Sequence, residues 1–342
     1  MNRRTFLSTA IASSAVSLAG AAESKVRVGQ IGTQHAHAAG KMEGLRKLSG
    51  LYEVVGIANA DEKAGKDYEG LPRLSEEQLL ASPGLQAVTI ETEVGHSCAT
   101  ALRAIRAGKH VHLDKPGALD HGEFVAMRNE AEKRQLTVQM GYMLRYNPAF
   151  QLLFKAKREG WLGEIREIDA MIGKLADARV LKQIGSLPGG GMFELGCHVI
   201  DAAMTLLGKP NEVHAFSTPS NDDGVKDNQL AVLVYGRATV TIRCNHADPF
   251  GGPRRRFTVA GSKGAMEIIP LESGQATLFL DAAHGEWKKG QQQVKLDVPK
   301  GRYDNDLTDF AKVVRGEKTF DWSAAHDIAV HETVMRAAGQ NV

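Results

Sequence analysis

From Lys25 onward the chain alternates short apolar runs with segments of helical length, and this rhythm restricts the fold more than any other feature. Val26, Val28 and Ile31 make a first strand that runs into Gly32-Thr33-Gln34-His35-Ala36-His37, and a helical stretch follows through Leu45. Tyr52 to Ala58 reads as a second strand. Ala87 to Ile90 reads as a later one, leading into a helix with apolar positions at Ala99, Leu102 and Ile105 and closed by Gly108. His110 to Leu113 is another strand, Glu123 to Arg134 a helix and Thr137 to Met140 a further strand. Strands separated by helices of this length pair in parallel through right-handed crossovers, so residues 25–146 are expected to form an α/β, doubly wound parallel sheet.

After Gly141 the rhythm changes. Pro148 opens a helix reaching about Arg158, Glu164 to Ile172 reads as a strand, and one long helix begins after Gly189-Gly190-Gly191 and ends near Gly208. Strand-like runs then follow one another at 212–216, 229–235, 239–244, 256–260, 265–269, 276–280 and 294–298. Consecutive strands joined by glycine-rich turns favour antiparallel pairing. The expectation for 147–304 is an α+β domain with a large, mostly antiparallel sheet. Two closing helices, Asp306–Val314 and Ala324–Ala338, fall within 305–342.

Hydrophobic residues make up 43% of the chain and charged residues 24%, an ordinary supply for a packed core. The 42 Lys and Arg against 40 Asp and Glu leave a formal charge of +2. No basic stripe appears beyond Arg254-Arg255-Arg256, so nucleic acid is not an expected partner. Cys98, Cys197 and Cys244 are too few and too scattered for a disulfide framework. At the start, Arg3-Arg4 precede Phe6-Leu7, an apolar run from Ile11 to Leu18 and Ala19-Gly20-Ala21. Residues 1–21 therefore read as a cleavable signal peptide, and the paired arginines resemble a twin-arginine signal that exports folded proteins. Periplasmic or extracytoplasmic placement follows, with no stable membrane insertion after cleavage.

Four features can carry chemistry. In the turn after the first strand, Gly32 holds the tight-turn position of a dinucleotide site, while Gln34 and His37 occupy the second and third glycine positions of that motif. Asn59 stands at the end of the second strand, where an acid would bind the ribose of NAD, with Asp61 two residues on. Asp114-Lys115-Pro116 follows directly on a parallel strand, where ligands bind in such sheets. On a regular helix Glu194, His198 and Asp201 would share one face, so that a carboxylate could orient a general-base imidazole beside a ligand that Gly189 to Gly191 and Gly196 leave room for.

Together and in order, these features resemble the Gfo/Idh/MocA oxidoreductases, relatives of glucose-fructose oxidoreductase and inositol dehydrogenase. Asp114-Lys115-Pro116 is similar to the family's Glu-Lys-Pro. Gly141 to Pro148 resembles the segment ending in Arg-x-Asn-Pro that crosses into the second domain. Glu194-x-Gly196-x-His198-x-x-Asp201 resembles its Asp-x-Gly-x-His-x-x-Asp helix, and Phe257 to Gly264 a later strand and turn. The resemblance implies a Rossmann-type first domain that holds NAD or NADP through Gly32, Thr33, Gln34, His35, Asn59, Thr92, His96, Asp114 and Lys115. It implies a catalytic centre in which His198 accepts a proton and Lys115 polarises the substrate oxygen, supported by Glu194 and Asp201. A sugar or polyol would be oxidised to a ketone by a homodimer or tetramer.

The departures gather on the cofactor side. Besides Gln34, His37 and Asn59, Glu93 follows Thr92 where the family has proline, and Glu91 adds a second carboxylate near the pyrophosphate groove. His35, His37, His96, Glu91 and Glu93 fall at converging strand ends, which makes a metal ion the rival reading. Pairs such as His35-x-His37 and His110-x-His112 are more often structural, and no metal is expected. A lyase, hydrolase or epimerase acting on a keto-sugar, and a periplasmic sugar-binding protein, are the other functional readings. Retention of both Lys115 and His198 argues against the last.

Overall fold

The computed structural model describes residues 25–62 and 64–342, so the expected signal segment 1–21 lies outside the described residues. Its first part contains β1 (Val26–Ile31), α1 (Ala38–Lys47), β2 (Tyr52–Ala58), β3 (Arg73–Leu74), α2 (Glu76–Leu80) and β4 (Ala87–Ile90). It continues through α3 (Val94–Arg106), β5 (His110–Leu113), α4 (His121–Lys133) and β6 (Val138–Met140). The six strands lie in the order β3-β2-β1-β4-β5-β6, all parallel. Strand order reverses between β1 and β4, and in such sheets ligands bind at the carboxyl ends beside that point. Every residue of β4 is buried, as a strand covered by helices on both faces must be. The short β3 and α2 escape the apolar rhythm, and the local signal for them is the Ser75–Gln78 capping box that opens α2.

The second part runs through α5 (Pro148–Arg158), β7 (Ile165–Gly173), α6 (Ala178–Gly185), a π-helical turn (Met192–Gly196) and α7 (Cys197–Leu207). Seven further strands follow: β8 (Glu212–Thr218), β9 (Asn228–Val234), β10 (Thr239–Asn245), β11 (Arg256–Gly261), β12 (Gly264–Ile268), β13 (Gln275–Leu280) and β14 (Gly290–Lys295). They form an eight-stranded sheet ordered β14-β13-β12-β11-β7-β10-β9-β8. Pairing is antiparallel except between β7 and β10, which run parallel because the chain leaves β7 through α6 and α7 before returning by the β8-β9-β10 meander. The last strand lies earlier than the expected 294–298. Gly290 pairs with Leu280 and Lys295 with Gln275, and the polar Gln291 to Gln293 of this edge strand carry no hydrophobic signal.

The closing helices are α8 (Asp304–Val314) and α9 (Ala324–Ala337). Tyr303, Leu307, Phe310 and Ala311 pack α8 against Val26, Val28, Tyr52 and Ala87 of the first sheet and Leu45 of α1. A buried polar knot reinforces that return: Lys41 Nζ donates to Asp306 Oδ2 at 2.8 Å and lies 2.9 Å from His112 Nε2. Among the described residues no helix is long and apolar enough to cross a membrane.

The two sheets meet around Arg145, which is 0% exposed. Its guanidinium donates to Asp201 at 2.7 and 3.0 Å and to Asp327 at 2.6 Å, and lies over the rings of Tyr142 and Trp322. Asp327 is also 3.0 Å from Arg128 of α4, and His326 Nε2 is 3.1 Å from Asp201. Burial alone would raise the Asp201 carboxyl, but Arg145 and His326 hold it down at about 2. Arg145→Ala strands two buried carboxylates and should lower the unfolding free energy by about 3–5 kcal/mol in urea titrations followed by circular dichroism. Removing the exposed Arg237, which faces Glu164 across the surface, should leave the midpoint unchanged.

Candidate active site

The β1–α1 turn is shaped by Gly32. Its φ is +88°, and a Cβ there would lie 2.7 Å from the backbone nitrogen of Thr92 and 2.8 Å from the carbonyl of Glu91, so only glycine fits. Thr33 Oγ1 accepts from the Asp61 N–H at 2.9 Å, and the Gln34 amide donates to Asn59 O at 3.1 Å and Asp61 Oδ1 at 3.0 Å. Asn59 donates its own amide to Glu76 at 3.1 Å. Among the described residues no side chain caps α1, and no acid stands in its first turn, which leaves the positive helix end open to an anion. The tight turn and the uncapped helix fit a dinucleotide. At the two missing glycine positions, Gln34 folds onto the end of β2 and His37 turns onto Asp114. Thr92 lies against Gly32, whereas His96 and Glu93 are exposed.

At the end of β5, Lys115 is 4% exposed, and its Nζ donates to the backbone oxygen of Glu194 at 2.7 Å and to its carboxylate at 3.2 Å. The other carboxylate oxygen of Glu194 lies 3.3 Å from His246 Nε2 and 3.5 Å from Lys174 Nζ. Glu194 thus holds the lysine rather than orienting His198. Met192–Gly196 is wound as a π turn, so the i, i+4 face expected for a regular helix does not form there. Asp201 does not support His198 either, since it is committed to Arg145 and His326. Nor do Gly189 to Gly191 make room for a ligand. A Cβ on each would strike Ala338, Lys226 O and His246 in turn, so the run serves close packing within the chain.

His246 and Lys174 were missed in the sequence because their roles arise from the parallel β7–β10 pair. That pairing sets Gly173 opposite Asn245, so the residues just beyond the two strand ends become neighbours. Burial by itself would lower the Lys115 ammonium, but Glu194 and Asp114 outweigh it and hold its pKa above the ordinary value. Burial would raise Glu194, and Lys115, His246 and Lys174 keep it far below the usual carboxylate range. His198 is 1% exposed, and burial, then Lys115 and His37, push its pKa well below the ordinary imidazole value. Its Nδ1 has no hydrogen-bond partner among the described residues. The arrangement offers a charged donor, Lys115, and a neutral acceptor, His198.

A second cluster adjoins the first. His37 Nδ1 lies 2.9 Å from Asp114 Oδ2, and His35 Nδ1 lies 3.4 Å from Glu91 and 3.7 Å from Asp114. Glu91 is fully buried, and burial together with the charge of Asp114 pushes its carboxyl up to about 7. Asp114, pushed up by burial but pulled down further by His37 and His35, stays well below the usual range.

Residues 26–142 match the family model described as "Oxidoreductase family, NAD-binding Rossmann fold", and residues 150–267 match the "GFO/IDH/MocA C-terminal domain". The chain is 30% identical over 217 residues to an uncharacterized oxidoreductase of Rhizobium meliloti, a match that spans 61% of this chain and 65% of that one. It is 25% identical over 291 residues to D-xylose 1-dehydrogenase (NADP(+)) 2 of Haloferax volcanii, covering 83% of this chain and 88% of the relative. In fold it is similar to GenD2 from gentamicin A biosynthesis, solved in complex with NAD, with a TM-score of 0.76, 19% identity and coverage of 93% and 95%.

The geometry makes a prediction about His198 itself. In histidine-resolved NMR it should stay in the neutral form from about pH 7.5 to 6, where an ordinary imidazole gains its proton. Because the unfolded chain takes up that proton below about pH 6.5 and the folded one does not, this residue lowers stability as pH falls.

Proposed function

The chain belongs to the GFO/IDH/MocA family of oxidoreductases, and on that premise we propose that it is an NAD(P)-dependent dehydrogenase interconverting a hydroxyl of a sugar or polyol with a ketone. The observation that carries the reading is a buried Lys115 held by Glu194 at the carboxyl end of β5, near a buried His198 whose Nδ1 has no hydrogen-bond partner among the described residues and whose charged form burial and Lys115 disfavour. His198 takes the hydroxyl proton, and Lys115 donates a hydrogen bond to the same oxygen as negative charge develops on it. Glu194 keeps the ammonium in place and charged, while His246 and Lys174 fix Glu194 from the second sheet. Gly32, Thr33, Gln34, His35, Asn59, Thr92 and Asp114 border the groove that would hold the dinucleotide, whose nicotinamide, when bound, supplies the hydride acceptor. The name of the Haloferax relative, a sugar dehydrogenase, supports the substrate class. An assembly of two or four copies belongs to the same proposal, with Phe216 exposed on the outer strand β8.

Replacing Lys115 with Met and His198 with Ala should each lower kcat by about 10²–10⁴ with the circular dichroism spectrum intact, read from nicotinamide absorbance over a panel of sugars and polyols. Full activity in either variant, or no affinity of the purified protein for NAD or NADP, would sink the reading.

The Arg3-Arg4 segment carries the further proposal of export in the folded state. N-terminal sequencing of the mature protein from the periplasm should show cleavage near Ala21, and R3K/R4K should retain the precursor in the cytoplasm. Release of the double variant at the normal rate would overturn it.

A further inference from the structure

We propose that the carboxyl ends of β1, β4 and β5 bind a divalent transition-metal ion of the zinc class, ligated by His35, His37 and Asp114, with Glu91 as the fourth donor. These strands are neighbours in the sheet, so the residues that follow them converge without strain on any one loop. The donor atoms of His35, His37 and Asp114 all lie within 4.8 Å of one another. A tetrahedral ion with bonds of ~2.1 Å holds its ligands roughly 3.4 Å apart. The separations of 2.9 Å for His37–Asp114, 3.4 Å for His35–Glu91 and 3.7 Å for His35–Asp114 bracket that value. The two imidazoles meet edge to face, at 78°; His37 Nδ1 lies against Asp114, and His35 Nδ1, which accepts from the His37 N–H at 3.3 Å, lies between Asp114 and Glu91.

Glu91 supplies an independent observation. It is 0% exposed, and neither carboxylate oxygen has a well-aligned hydrogen bond among the described residues, its one close polar neighbour being His35 Nδ1 at 3.4 Å, although buried polar groups in folded proteins are ordinarily satisfied. The nearby lysines are already engaged. Lys115 is held by Glu194, and Lys41 by His112 and Asp306. A divalent cation would neutralise the two carboxylates, and paired imidazole and carboxylate donors suit zinc, manganese or iron. The set differs from the one the sequence suggests. His96 and Glu93 are exposed, His112 belongs to the Lys41 knot, and His110 accepts from the Thr137 N–H, while Asp114 joins His35, His37 and Glu91. So placed, the ion replaces two repelling carboxylates at the mouth of the Gly32 turn with a site that attracts anions.

The test is metal binding by the purified full chain, carried without a histidine tag, stripped with EDTA and titrated with Zn²⁺ against a chromophoric chelator. One equivalent should bind in the micromolar range or tighter. Affinity should fall by about tenfold or more in His35→Ala, His37→Ala and Glu91→Gln, each checked for folding by circular dichroism. Co²⁺ should give the intense visible bands of a tetrahedral site, absent from the His35→Ala/His37→Ala double variant. If the double variant does not fold, the His35→Ala and Glu91→Gln titrations decide. Absence of micromolar binding, or an equivalent retained unchanged when these ligands are removed, would overturn the proposal.

Discussion

A fully buried guanidinium can stay inside a protein only if carboxylates meet it at close range, and Arg145 is met by two. The segment bearing it is where the chain passes from the first sheet to the second. Asp201 comes from α7, Asp327 from α9, and Arg128 reaches Asp327 from α4. This one charge cluster therefore pins three helices to the crossover, and α7 is the helix on which His198 is mounted. That helix, whose Asp201 is held by the clamp, therefore carries His198 from a fixed anchor one turn away.

The chemistry of the site follows from the same economy of charge. Lys115 and His198 are equally buried, and burial disfavours the charged form of each. Glu194 faces the lysine and reverses the effect, whereas the cations around His198 deepen it. Two neighbouring buried bases are thereby shifted in opposite directions. Here the partner of each group, rather than its residue type, decides which form burial leaves favoured.

The fold class was legible in the sequence. The parallel strands of the first sheet and the position of Asp114-Lys115-Pro116 directly after β5 rest on local pattern, which a linear reading captures. The contacts of Glu194 and Asp201 are not legible in the sequence: Glu194 lies in a π turn that breaks regular helix spacing to His198, and the partners of the two acids, Lys115, His246 and Arg145, lie 79, 52 and 56 residues away. Gly189 to Gly191 likewise owe their presence to Ala338, Lys226 and His246 rather than to any ligand. His246 and Lys174 carry no motif at all. They become a pair only when β7 and β10 align in parallel, and that alignment is a property of the whole sheet.

The return of α8 to the first sheet has a consequence for synthesis. The contact between Lys41 and Asp306 closes a loop of 265 residues, and Leu307, Phe310 and Ala311 fill a core begun by Val26 and Val28. The core of the amino-terminal sheet is thus completed only once residues 303–311 have been made, long after its own strands. Chains that fold domain by domain as they emerge finish the first domain first. Here Val26, Leu45 and Tyr52 wait for a cover that is made only after the whole second sheet, so the first domain cannot close its core by itself.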